Sequence, residues 1–234
     1  MYYNYYSMDP TYIFILVGAL LAMAASVKLN STYSKYSGVP SSSGMTGAQV
    51  AQMILRANGI YDVTVERIDG KLTDNYDPSK KVLHLSTSVY GKSDIAAVGV
   101  AAHECGHALQ HNSSYALLSI RSALVPVANI GAQISWPLFF FGLIMGGDSL
   151  CRLGIAAFGL AVLFQLVTLP VEYDASNRAK TQLASLGIIK DDSEKKGVKA
   201  VLGAAALTYV AGTLSSILQL LRLVTISNNS RRRR

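Results

Sequence analysis

Residues 93–110 read SDIAAVGVAAHECGHALQ. Ser93 can cap a helix, and the small apolar residues that follow predict a buried one. Within it, His103-Glu104-Cys105-Gly106-His107 spells H-E-x-x-H. Positions i and i+4 share one face of a helix, so both imidazoles can reach one metal ion. Glu104 can point at a water beside that metal and act as a general base. Zinc brings the pKa of such a water to ~7, so a nucleophile for a peptide carbonyl forms at neutral pH. The chain holds four His, and two of them bracket this Glu. Burying such a cluster without a metal is costly.

A catalytic zinc usually has three protein ligands and one open position. Downstream lies Leu169-Pro170-Val171-Glu172-Tyr173-Asp174-Ala175-Ser176, where an apolar block gives way to a polar one. If the intervening segment folds back as a hairpin, Glu172 returns to the side of His103. That topology makes Glu172 the candidate third ligand, against the plainer reading of an interfacial carboxylate. Asp174 has two readings, a carboxylate that orients a ligand and a salt-bridge partner. His111 would complete an HxxxHxxxH set, but it falls about 80° around the helix from His103 and reads as a polar helix-end residue. His84 reads as an outward strand residue. Arg178 is left between electrostatic stabiliser and headgroup contact.

The apolar residues lie in long blocks. Of 234 residues, 50% are hydrophobic and 15% charged, against about a quarter charged in soluble domains. Thr11 to Val27 is near the lower limit of ~17 residues for a span. No Lys or Arg precedes it, which favours a retained anchor over a signal peptide. Tyr2, Tyr3, Tyr5, Tyr6 and Tyr12 suit an interfacial belt. Ala123 to Met145 and Leu153 to Leu169, joined by Gly146-Gly147-Asp148, predict a transmembrane hairpin. A last apolar block covers 200–223. Between the first block and the hairpin, Ser31 to Gly44 reads as a loop. Thr46 and Gln49 form a capping-box pattern for a short helix ending at Asn58-Gly59. DVTVERI (62–68) and VLHLS (82–86) read as strands, with Asp74 to Lys81 as a turn. The expected divisions are an anchor over 1–27, a first catalytic part over 28–122, a hairpin over 123–170, and 171–234 carrying Glu172 and the last apolar helix.

The net charge is +7. The basic residues sit between the apolar blocks and at Arg231 to Arg234, with no basic stripe interleaved with aromatics, so nucleic acid is not an expected partner. The basic segments 28–122 and 171–199 should face the cytoplasm, with the hairpin tip outside. The terminal Arg run then favours a last block lying along the cytoplasmic side rather than crossing. Cys105 and Cys151 form no disulfide framework or C-x-x-C site.

VGVAAHECGHALQH (98–111), SALVPVANIGAQIS (122–135), LPVEYDASNRA (169–179) and NYDPSKKVLHLS (75–86) together resemble the YugP-type putative neutral zinc metallopeptidases of bacteria, over nearly the whole chain. That family is similar to the HtpX-like and CAAX-prenyl-protease-like membrane gluzincins, whose third ligand is the Glu of an E-x-x-x-D motif. The resemblance implies Glu172 in that place. The Asp of the motif falls at Ser176, a departure that leaves Asp174 as the candidate carboxylate of the orienting shell.

The expectation is a mainly α, multi-pass membrane zincin of gluzincin type with a small β element. One zinc ion per chain is held by His103, His107 and Glu172, and Glu104 activates water. The substrate is a peptide or protein in or near the bilayer, and the active site faces the cytoplasm. The rivals are a zinc-binding scaffold without catalysis and a hydrolase of non-peptide substrates. Transport is disfavoured, because the apolar blocks lack the charges that mark ion pathways. Oligomeric state is not legible.

Overall fold

The computed structural model describes residues 9–232. Tyr2, Tyr3, Tyr5 and Tyr6 of the expected belt, and Arg233 and Arg234 of the terminal run, lie outside the described residues. The elements run α1 (Tyr12–Tyr36), α2 (Gly47–Ala57), β1 (Thr64–Ile68), β2 (Asn75–Asp77), β3 (Val82–Ser86), α3 (Ile95–Asn112), α4 (Ala116–Ile144), α5 (Asp148–Ser185) and α6 (Asp192–Arg232). The protein is mainly helical with one small sheet.

The chain divides into two compact units. One comprises Ser26–Ile120 and Thr168–Leu207. Its sheet has the order β1-β3-β2, with β1 parallel and β2 antiparallel to β3. Leu83 and Leu85 alternate with His84 along β3 and are fully buried, so β3 sends its leucines to the core and His84 to the other face. Val50, Ile54 and Leu55 from α2, Ala97, Val98, Ala101 and Cys105 from α3, and Leu183, Ile188 and Val198 join that core. Burying one such Leu or Ile stabilises by ~1.5–3 kcal/mol. Thr46 caps α2 with the full reciprocal box to Gln49, and Gly59 after it adopts φ +71°.

Three local expectations are corrected. The N-cap of α3 is Asp94, one residue beyond Ser93, and its carboxylate accepts from the Ala97 amide. Asn75–Asp77 is a short edge strand and not a turn. Helix α1 continues to Tyr36, into the first part of the expected loop, where Tyr33 is buried against Ala96 and Val201. The Tyr33 hydroxyl also lies 3.2 Å from the Ser88 hydroxyl.

The second unit holds the described residues up to Ala25, Arg121–Val167, and those from Thr208 to Arg232. Its helices expose Met23, Ile130, Phe140, Phe141 and Ile144, and the turn after α4 exposes Met145. Such a surface would drive aggregation in water and suits lipid. Four helices, α1, α4, α5 and α6, are long and apolar enough to cross a membrane. Pro126 and Pro137 lie inside α4. Gly131 and Gly154 permit backbone contact within the hairpin: a Cβ on either would meet Ala157 O at 2.6 Å or Phe139 N at 2.7 Å.

The last apolar block packs against the hairpin. Leu223 of α6 is buried against Phe139 and Cys151 of the hairpin, and Arg231 Nε bonds Asp148 Oδ2 at 2.9 Å. Helix α6 therefore runs to the hairpin tip. Asp148 neutralises part of the terminal positive charge there, a compensation that counting Lys and Arg cannot register.

Glu194, buried in the first turn of α6, accepts from the Ser42 amide at 2.6 Å, its hydroxyl at 2.8 Å and the Lys190 amide at 3.0 Å. Glu194→Ala leaves those donors unpaired and should destabilise the protein by ~1–3 kcal/mol. Thermal melts of detergent-purified wild type and variant measure this, and an unchanged midpoint would contradict it.

Candidate metal centre

Helix α3 presents His103 and His107 one turn apart, and α5 presents Glu172. Their candidate ligand atoms all lie within 4.8 Å of one another, and no other group of three or more His, Cys, Asp or Glu among the described residues does this. The Nε2 atoms of His103 and His107 converge on the same Glu172 oxygen, Oε2, at 3.2 and 3.6 Å. The two rings stand edge to face, with centroids 4.8 Å apart. The side chains are almost out of solvent, at 14%, 12% and 3% exposure.

These distances test the fit of a zinc ion. With metal–ligand bonds of about 2.0–2.2 Å in a tetrahedron, ligand atoms lie ~3.3–3.5 Å apart. The two observed separations bracket that edge. Two imidazoles and one carboxylate are also a donor set that suits zinc, so the residues fit the group.

Glu104 is buried beside both histidines. Burial raises its carboxyl above the ordinary value, the two imidazoles pull it down, and Glu172 pushes it up again. Cys105 turns the other way: it is fully buried, and its Sγ lies 3.7 Å from Ala51 O. Burial pushes that thiol up, so it acts as a small apolar side chain.

The two Nδ1 atoms are held from behind. Ser176 Oγ lies 3.1 Å from His103 Nδ1, and Gln110 Oε1 lies 3.0 Å from His107 Nδ1. Ser176 is four residues from Glu172, hence on the same helix face. It stands where the related motif has its Asp, with a hydroxyl in place of a carboxylate. Asp174 points elsewhere: its Oδ2 accepts from Gln110 Nε2 at 2.9 Å and from Arg178 Nε at 2.6 Å. Arg178 also sits 5.7 Å from the centre of the Tyr115 ring. His111 is outside the group, exposed, with Nδ1 2.8 Å from the Tyr76 hydroxyl. Burial, with Asp62 and Asp77 nearby, pushes that phenol up to about 12. His84 is outside it too.

Sequence reading missed Gln110 and Gly106. Gln110 is fully buried although polar, and its only signal was its place three residues beyond His107 on an otherwise apolar helix. Gly106 occupies a free position of the motif, yet a Cβ there would lie 2.4 Å from Ala175 O and 2.9 Å from its carbonyl carbon. The glycine lets α3 and α5 meet backbone to backbone, which brings Glu172 within reach of the histidines.

The site, two imidazoles and a carboxylate from two helices with a further buried carboxylate beside them, is of the kind that zinc-dependent hydrolases use. The family model described as "Putative neutral zinc metallopeptidase" matches residues 11–228, and the chain belongs to that family. It is 49% identical over 221 residues to "Putative membrane protease YugP" of Bacillus subtilis (strain 168), covering 94% of this chain and 98% of that protein. No solved structure matches the chain.

Two outcomes are expected. Gly106→Ala must push the two helices apart, at a cost of ~1–3 kcal/mol, and should lower zinc content in folded protein, read by metal analysis. His107 is raised: burial lowers it, but pairing with Glu172 and the neighbouring carboxylates outweigh that. A metal must displace the proton so held. Zinc affinity should therefore be full above the raised His107 value and fall as pH drops through it, as a chelator competition series would show.

Proposed function

We propose that this protein is a membrane-embedded zinc metalloendopeptidase that hydrolyses peptide bonds of membrane or membrane-proximal proteins. His103, His107 and Glu172 hold one zinc ion, and Glu104 is the general base. The observation that carries this reading is the convergence of two imidazole nitrogens on one buried carboxylate oxygen at distances suited to a tetrahedral metal.

Zinc bound there supplies Lewis acidity toward water and the substrate carbonyl. The protein's own groups do the rest. Glu104 takes a proton from the attacking water and delivers it to the departing amine. Among the described residues no hydrogen-bond donor is paired with its carboxylate, which leaves it available for that transfer. Burial already biases it toward holding a proton, the direction required of a base working near neutral pH. The neutral side chains of Ser176 and Gln110, on the Nδ1 atoms, keep both imidazoles turned with Nε2 toward the metal.

A bilayer-associated substrate is supported by the four helices suited to crossing a membrane, and by α5, which carries both an apolar span and Glu172. The name of the Bacillus relative, a membrane protease, agrees. A cytoplasmic active site is supported by the many Lys and Arg of 28–122 and 171–199. The division into an anchor, a catalytic part, a hairpin and a last segment bearing Glu172 belongs to the same proposal.

The test is proteolysis of an unfolded protein by the detergent-purified enzyme, with zinc content measured. Glu104→Gln should keep zinc and lose about 10²- to 10⁴-fold in rate. Equal cleavage by both would remove Glu104 from the mechanism. Zinc bound with no cleavage of any protein or peptide offered would favour a scaffold that keeps the metal for structure.

A further inference from the structure

We propose that Gln110 is a positioning residue of the metal site: it dictates which nitrogen His107 offers to the metal and carries the charge of Asp174 to that imidazole. The inference rests on the ligand assignment above and extends it to residues that touch no metal.

The heavy atoms around Gln110 settle its orientation. One end of the amide faces the Val171 carbonyl at 2.8 Å and Asp174 Oδ2 at 2.9 Å. A carbonyl and a carboxylate only accept, so that end must be the NH2 group with its two donors. The other end, 3.0 Å from His107 Nδ1, is then the oxygen. An amide oxygen only accepts, so His107 Nδ1 carries a hydrogen. When the ring is neutral, Nε2 is left with its lone pair, and Nε2 is the atom that faces Glu172 Oε2. A single amide, held at both of its donors, thereby selects the tautomer that a metal ligand requires.

The same chain of contacts conveys charge. Asp174 polarises the amide through its NH2 group, which makes the amide oxygen a better acceptor for the imidazole N–H. Arg178, bonded to Asp174 at 2.6 Å and partly exposed, holds that carboxylate in place. The two histidines are therefore supported unequally. At Nδ1, His103 meets only the Ser176 hydroxyl among the described residues, whereas His107 Nδ1 is linked to a carboxylate through one intermediary. Gln110 is fully buried, so Gln110→Leu fills its place without restoring the hydrogen bonds it made.

The experiment uses the full chain in detergent, with fold checked by circular dichroism and zinc affinity measured by chelator competition. Gln110→Leu should weaken zinc binding by about 10- to 100-fold, the range for partners behind metal-bound histidines. It should also shift the ligand-field spectrum of the cobalt-loaded protein, which a loss of packing alone would not do. Asp174→Ala should weaken binding in the wild-type background and have no further effect in Gln110→Leu, because Asp174 acts through the amide. If Gln110→Leu does not fold, Asp174→Ala, at a partly exposed position, decides alone. Affinities within twofold of wild type for the folded variants, or losses that simply add, would overturn the inference. His107→Ala binding zinc as tightly as wild type would instead remove the ligand assignment, and this inference with it.

Discussion

Two imidazoles and a carboxylate meet within 4.8 Å, in a place where their side chains are nearly out of water. Left to themselves, such groups are costly to bury, because each loses hydration that only a well-placed partner restores. Much of the surrounding structure answers that cost. Ser176 and Gln110 satisfy the outer imidazole nitrogens, and Val171 and Asp174 satisfy Gln110. The arrangement is a connected polar network that runs from the buried ligands to the partly exposed Asp174, and such networks hold their members in one geometry. A metal ion completes it by occupying the point on which the three ligand atoms converge.

The network exists only because two helices come unusually close. Helix α3 is built of Ala, Gly and Val ahead of its motif, and Gly106 leaves Ala175 of α5 in backbone contact. A side chain at 106 would hold the helices apart, and the ligand from α5 would no longer reach those from α3. The buried alanines serve the same end. Ala101, Ala102, Ala175 and Ala179 contribute little apolar area each, but they let large side chains such as Leu83, Leu85 and Leu183 fill the remaining space. Close approach and chemistry are thus one requirement, met by residues that carry no functional group.

The protein also answers to two solvents. In the unit formed by the hairpin, the chain up to Ala25 and the end of α6, large apolar side chains face outward. In the other unit they face inward. Several polar groups of the hairpin unit are paired locally. Ser215 Oγ bonds Gly18 O at 2.9 Å, joining α6 to α1, and Asp148 receives Arg231. Where lipid replaces water, an unpaired polar group has no alternative partner, so these contacts also fix which helices lie together.

The sequence by itself determined what depends on local spacing. The four-residue interval between His103 and His107 sets both imidazoles on one helix face, the Thr46–Gln49 box starts α2, and the length of the apolar blocks marks the helices fit for a bilayer. Alternation along VLHLS placed Leu83 and Leu85 inward and His84 on the other face. The sequence could nominate Glu172 only through a hairpin it had to assume and through the family resemblance. Other features were decided by tertiary structure alone. Gly106 looks like a free position until Ala175 is beside it, Gln110 has no evident role until Val171 and Asp174 claim its donors, and the end of α6 looks like a basic tail until Asp148 meets it. Each depends on a partner distant in the chain, and periodicity reports only which residues share a face, not what that face will touch.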